Sequence, residues 1–151
     1  MFKVSFKKDA LKIQTFNDRA TIVTLEGYVH LPKFYNNLPY EILRWAWDYP
    51  GVSFDGPEIE AQGRAVCAKE DIFNPIVGER VAESRAKIKL YKFMYSLCKK
   101  IHDYYSTILV GTEALGVTYS IKHQSVNKSL TKYQELLIKE SHHLGKLLEE
   151  A

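Results

Sequence analysis

Residues 58–108 read EIEAQGRAVCAKEDIFNPIVGERVAESRAKIKLYKFMYSLCKKIHDYYSTI, and their periodicity changes once along the way. In the first eleven, Ile59, Ala61, Gly63, Ala65 and Cys67 alternate with polar residues, the period of a strand with one packed face. That face is made of small side chains, so another element must pack closely on it. After Asn74-Pro75 and Gly78 the period becomes 3.6, which predicts a helix over 77–108. Val77, Val81, Ile88, Tyr91, Tyr95, Cys98, Ile101, Tyr105 and Ile108 trace its expected buried stripe, widened by Leu90, Met94, Leu97 and Tyr104. An apolar stripe of that width needs cover on two sides, from a sheet and from a second helix.

Outward from this segment the same reading continues. Residues 2–31 carry strand signals: Phe2, Val4 and Phe6 alternate, Leu11 and Ile13 follow, and Asn17-Asp18-Arg19 supplies turn chemistry. The stretch ATIVTLEGYVHL, residues 20–31, is rich in β-branched residues before Pro32. A hairpin or meander is expected. Asn36 and Asn37 can cap a short helix whose first turn holds Pro39 and Glu41, and whose apolar face holds Ile42, Trp45, Ala46 and Tyr49. Pro50-Gly51 ends it, and Asp55-Gly56-Pro57 reads as a turn. Past Gly111 and Gly116, Val117, Tyr119 and Ile121 suggest one more strand. A last helix is expected from about 125 to 150, with Leu130, Tyr133, Leu137, Leu144 and Leu147 near heptad spacing. That narrow seam calls for a helical partner, in the same chain or in a second copy. The expectation is a single α+β domain over 1–151: an N-terminal antiparallel β-sheet with a short helix, then two long C-terminal helices.

Composition narrows the function classes. At 151 residues, with 46% hydrophobic and 26% charged residues, the chain has the make-up of an ordinary globular domain. The formal charge of +3 is small. It conceals a local excess, because 80–100 holds seven basic residues (Arg80, Arg85, Lys87, Lys89, Lys92, Lys99, Lys100) against one acid, Glu83. Cys67 and Cys98 stand apart without a CxxC partner and read as reduced thiols. With no continuous apolar run of membrane-span length, and no hydrophobic leader at the N-terminus, a cytoplasmic location is expected and a membrane is not.

Chemistry is best placed where the strand of 58–68 leads into the long helix. A helix start offers free N–H groups and a positive dipole end to an anion. Arg80 and Arg85 lie early in that helix, where a cation opposes the dipole and so suggests a partner. Lys89 and Lys92 follow Arg85 at i+4 and i+7, on one face. Arg matches phosphate oxygens with a rigid fork of donors, and Phe73 could stack on a base. The expected ligand-binding set is therefore Asp71, Phe73, Asn74, Arg80, Arg85 and Lys89. Against it stands the ordinary alternative: a charged stripe opposite an apolar face is what any solvated amphipathic helix shows, and Asp71 and Asn74 suit turn and cap positions. No catalytic or metal set emerges. His142 and His143 are adjacent and point about 100° apart on a helix, and no HExxH, P-loop, GxGxxG or GxSxG occurs. No catalytic residue, metal or cofactor is expected.

The pattern G-R-A-V-C-x3-D-x-F-x4-G-x2-V-A-x2-R-A-x-x-K over 63–89 resembles a segment of small phage and mobile-element proteins. It is also loosely similar to small actinobacterial proteins with a double-stranded-RNA-binding-like fold. The order of blocks, β-rich first and two long helices last, is similar to the phage Thoeris anti-defence nucleotide sponges. That resemblance implies a homo-oligomer that sequesters a small nucleotide signal in the host cytoplasm, with Asp71, Phe73, Asn74, Arg80 and Arg85 as pocket residues. The short helix near 37–49 departs from it. Two other functions fit the residues. One is a nucleic-acid-binding module using Arg85, Lys89 and Lys92. The other is an inhibitor that docks on a host protein through Trp45, Trp47, Tyr104 or Tyr105.

Overall fold

A computed structural model describes residues 3–6, 12–16, 20–30, 39–55, 57–67, 74–111 and 116–150, with the backbone alone at 3, 12, 16, 105–111, 116–126 and 150. Five strands and three helices follow in the order β1 (Lys3–Phe6), β2 (Lys12–Phe16), β3 (Ala20–His30), α1 (Tyr40–Trp47), β4 (Val52–Asp55), β5 (Glu58–Val66), α2 (Pro75–Gly111) and α3 (Gly116–Glu150). The fold is α+β, with the antiparallel sheet and short helix first and the two long helices last.

β3 organises the sheet. Both β1 and β2 pair antiparallel with it, β1 against Gly27–His30 and β2 against Ala20–Thr24, so they lie end to end along one edge. On its other side β3 pairs along the whole of β5, from Ala20↔Val66 to Tyr28↔Glu58. β4 closes that side over only half its length, from Val52↔Ala61 to Asp55↔Glu58. No described strand pairs with Gln62–Val66 on the side away from β3.

The register puts Val23, Leu25 and Val29 of β3 on the same face as Ile59, Ala61, Gly63 and Ala65 of β5, and all of these are buried. α2 lies on that face. Its buried residues divide by angle around a 3.6-residue helix. Ala82, Ala86, Leu90, Phe93 and Leu97 form the arc nearest the sheet, while Ser84, Met94, Cys98 and Ile101 fall toward α3. Burial of side chains such as Leu90 or Phe93 contributes about 1.5–3 kcal/mol each. α2 approaches β5 so closely that a Cβ on Gly63 would lie 2.6 Å from the Ala86 nitrogen and nearer still to the Ala82 carbonyl oxygen. Only glycine fits there. This is the close packing that the small-residue strand implies.

α3 covers the other side of α2. Tyr133 and Leu147 of the heptad-like seam are buried and Leu130 and Leu144 pack beside them, so α2 is the helical partner the seam required. Two polar contacts fix the arrangement. The Ser84 hydroxyl donates to Glu140 Oε1 at 2.7 Å, and the Val4 N–H donates to the Tyr133 hydroxyl at 2.7 Å, tying α3 to the edge strand β1.

Several expectations need correction. Residues 117–121 are helical and not a strand; α3 begins at Gly116, so its first turns continue an unbroken 35-residue helix. The β-branched and aromatic residues there set a local preference that the long helix overrides. Residues 52–54 carry no expectation of a strand, and Asp55 is expected in a turn, yet Val52–Asp55 form β4. Tyr91 and Tyr95 are half-buried and Tyr104 is 40% exposed, whereas Ala82, Ala86 and Phe93 are fully buried. Pro39 stands at the N-cap of α1, one residue before the first turn, and its side chain gives no capping bond. The proposed caps Asn36 and Asn37 lie outside the described residues.

Candidate functional site

The start of α2 is built by Asn74 and Pro75. Asn74 Oδ1 accepts the N–H of Ile76 at 3.1 Å and of Val77 at 3.4 Å, satisfying two of the four orphan donors of the first turn. Pro75, whose missing N–H costs nothing at that position, opens the helix. Asn74 thus serves as a helix cap. Asp71 and Phe73 lie outside the described residues.

Arg85 and Lys89 are held by the half of β5 that β4 leaves uncovered. Arg85 Nη1 donates to the Arg64 carbonyl at 2.6 Å, and Lys89 Nζ donates to the Gln62 carbonyl at 2.7 Å. α2 and β5 run in opposite senses, so one helical turn matches a two-residue step along the strand. Each side chain therefore meets an outward-facing carbonyl. Long cationic side chains laid on a strand edge also keep another strand from adding there. Only one of Arg85's five N–H donors is used by this bond, so the guanidinium remains able to hold an anion.

Around the α2 axis, Arg85, Lys89, Lys92, Lys99 and Lys100 fall within about 100° of one another, counting 100° per residue. From Arg85 to Lys100 this stripe runs about 22 Å at 1.5 Å per residue. Lys89, Lys92, Lys99 and Lys100 are exposed. None of the five has a carboxylate within ion-pair distance among the described residues. Lys87 is different: it lies 3.3 Å from Glu83, one turn back. Arg80 is exposed but stands five residues before Arg85, roughly 140° round the helix. Of the six expected ligand residues, then, the structure joins Arg85 and Lys89 on one flank, sets Arg80 on another, and engages Asn74 in capping.

The stripe ends beside an aromatic cluster that periodicity alone did not assemble. Trp45 stacks on the fully buried Phe93, with centroids 5.8 Å apart and planes at 10°. Tyr49 meets both rings edge-on, at 5.3 and 5.2 Å, and Phe54 lies 5.6 Å from Phe93. Lys100 Nζ sits 5.6 Å from the centre of the Trp45 ring, within cation–π range. Glu41, Arg44, Trp45, Asp48, Tyr49 and Pro50 line an open depression of about 420 Å³ here. The signal in the sequence is the α1 pattern of Trp45 and Tyr49; their partner Phe93 lies outside the apolar stripe expected for α2.

On the sheet face turned away from α2, Glu26, Ser53, Asp55, Glu58 and Glu60 line a smaller hollow of about 210 Å³. No group of three or more His, Cys, Asp or Glu residues could hold a metal ion among the described residues. Burial pushes the Cys98 thiol up to about 12, which keeps it protonated and unreactive. Burial also raises the Tyr133 and Tyr91 hydroxyls; for Tyr91 the nearby Lys87 opposes the shift and Glu140 adds to it. Of the aromatics considered for a protein partner, Trp47 is 48% and Tyr104 40% exposed, Trp45 is half-buried, and the Tyr105 side chain is outside the described residues. No described helix is long and apolar enough to cross a membrane.

No protein-family model, curated protein or solved structure matches the chain.

Proposed function

We propose that this protein acts by binding a phosphate-bearing ligand, and that the ligand is a nucleic-acid strand lying along the basic flank of α2. One observation carries the reading: five cations share one face of α2 with no described carboxylate within ion-pair distance, and two are anchored on β5 carbonyls. A solvated surface stripe leaves its side chains free to sample many rotamers, and each loses that freedom when a ligand binds. Here Arg85 and Lys89 are ordered beforehand. A line of about 22 Å also exceeds what one mononucleotide needs, and it suits successive phosphates of a chain.

Capture of a small nucleotide signal, the function implied by the phage sponge resemblance, is the competing reading; it would use exposed Arg80 at the start of α2. A titration separates the two. The protein is titrated with a fluorescein-labelled oligonucleotide and, separately, with cyclic and linear mononucleotides including ADP-ribose derivatives. Reversal of exposed charges in Lys92→Glu/Lys99→Glu is expected to weaken the oligonucleotide at least 10-fold and leave the fold intact. Tight mononucleotide binding, lost in Arg80→Ala and unaffected by that double variant, would overturn the nucleic-acid reading.

A further inference from the structure

We infer that the depression beside α1 receives one unstacked nucleobase, so that the strand bound on α2 is single-stranded. This rests on the nucleic-acid reading above and specifies its ligand.

Three features of the depression point to a base. Its floor includes Trp45 and Tyr49, whose ring orientations are fixed by the fully buried Phe93: Trp45 lies parallel to it at 5.8 Å, and Tyr49 stands edge-on at 5.2 Å. A side chain held in this way stacks on a ligand without losing rotamer freedom, and a flat aromatic surface accepts the face of any base. Next, the volume of about 420 Å³ and the wide mouth suit a planar ring left in contact with its sugar outside. Finally, charge frames it on both sides. Lys100 stands over the Trp45 ring at 5.6 Å, so a base that stacks on this ring takes the place of the ammonium, which swings out to the adjoining phosphate. Lys89 passes Gly51, the residue after Pro50 in the lining, with its Cδ 3.7 Å from where a Cβ would be. Lys89 and Lys100 are about 16 Å apart along α2. A strand crossing between them puts phosphates on both cations and a base over the aromatic floor. Arg44, Asp48 and Glu41 on the rim offer hydrogen-bond donors and acceptors to a base edge.

Duplex DNA keeps its bases stacked and paired, and so cannot fill the depression without extruding one at a cost. The occupant that matches both the cation line and the aromatic floor is therefore single-stranded.

The test uses the full chain carrying Trp47→Phe, which leaves Trp45 as its sole tryptophan. It is titrated with a 12-nucleotide thymidine strand, with an abasic strand of equal length and charge, and with a 12-base-pair duplex. The thymidine strand is expected to bind on the order of 10-fold more tightly than the abasic one and to quench Trp45 emission, which the abasic strand leaves unchanged. Asp48→Leu, which fills the depression from an exposed position, is expected to bring thymidine-strand binding down to the abasic level. Equal affinity for the two strands, or a preference for duplex, overturns the base site and leaves the cation line standing. If none of the three binds, the nucleic-acid reading fails and this inference with it.

Discussion

Gly63→Ala probes the contact on which the layered arrangement depends. The added methyl would lie 2.6 Å from the Ala86 nitrogen and closer to the Ala82 carbonyl oxygen. Both obstacles are backbone atoms in the middle of a long helix, so no rotamer change relieves the clash; α2 must lift from β5 or β5 must bend. Overpacking of this kind costs about 1–3 kcal/mol, and an immovable backbone places it at about 3. As α2 lifts, the bonds from Arg85 and Lys89 to β5 also lengthen. Alanine narrows the unfolded ensemble, which returns about 0.4–1 kcal/mol. The net loss is about 2 kcal/mol, or a melting temperature lower by about 4–8 °C in a chain of this size. Gly145→Ala is the matched control. It adds the same methyl within α3, where nothing lies within 4 Å, and is expected to stabilise by about 0.5–1 kcal/mol. Urea unfolding of both variants followed by circular dichroism measures the difference. A Gly63→Ala protein as stable as the parent would refute the close approach of α2 to the sheet.

Three further outcomes follow from named contacts. Tyr133→Phe removes the acceptor of the Val4 N–H and should cost about 1 kcal/mol in chemical unfolding. Ser84→Ala breaks the link to the Glu140 carboxylate between α2 and α3 and should cost about 1.5 kcal/mol by the same assay. Stability should fall as pH rises above about 9, because the unfolded chain releases the Cys98 proton there while the folded chain holds it to about 12. In that window the folded state binds more protons, so the slope is negative, up to about 1.4 kcal/mol per pH unit for this thiol. Cys98→Ala should flatten the slope of stability measured between pH 8.5 and 10.5.

The sequence made the architecture legible where a period was strong. The alternation at 58–67 and the 3.6-residue repeat beyond Gly78 gave β5 and α2, and the small residues of β5 foretold the close packing at Gly63. It misled where a local preference met a longer-range demand. Val117, Tyr119 and Ile121 alternate as a strand would, yet they lie in a helix that runs to Glu150. Ala82 and Ala86 carry little hydrophobic signal, and they line the helix face where approach is closest. For the site, spacing correctly aligned Arg85, Lys89 and Lys92. It could not show that Arg85 and Lys89 reach β5 carbonyls, because which half of β5 stays uncovered depends on the length of β4. Nor could it bring Trp45 to Phe93, 48 residues away, since that pairing exists only once α1 packs against α2.

The role proposed for the cations of α2 is to neutralise the phosphates of a single strand. Its most direct test is the affinity for a 12-nucleotide thymidine strand measured from 50 to 300 mM salt. With four or five phosphates engaged, log affinity should fall linearly with log salt at a slope of about −3, from roughly −0.7 per phosphate. The slope should become shallower by about 1.4 in Lys92→Glu/Lys99→Glu. Binding that does not change with salt, or a slope that the double variant leaves unaltered, would contradict it.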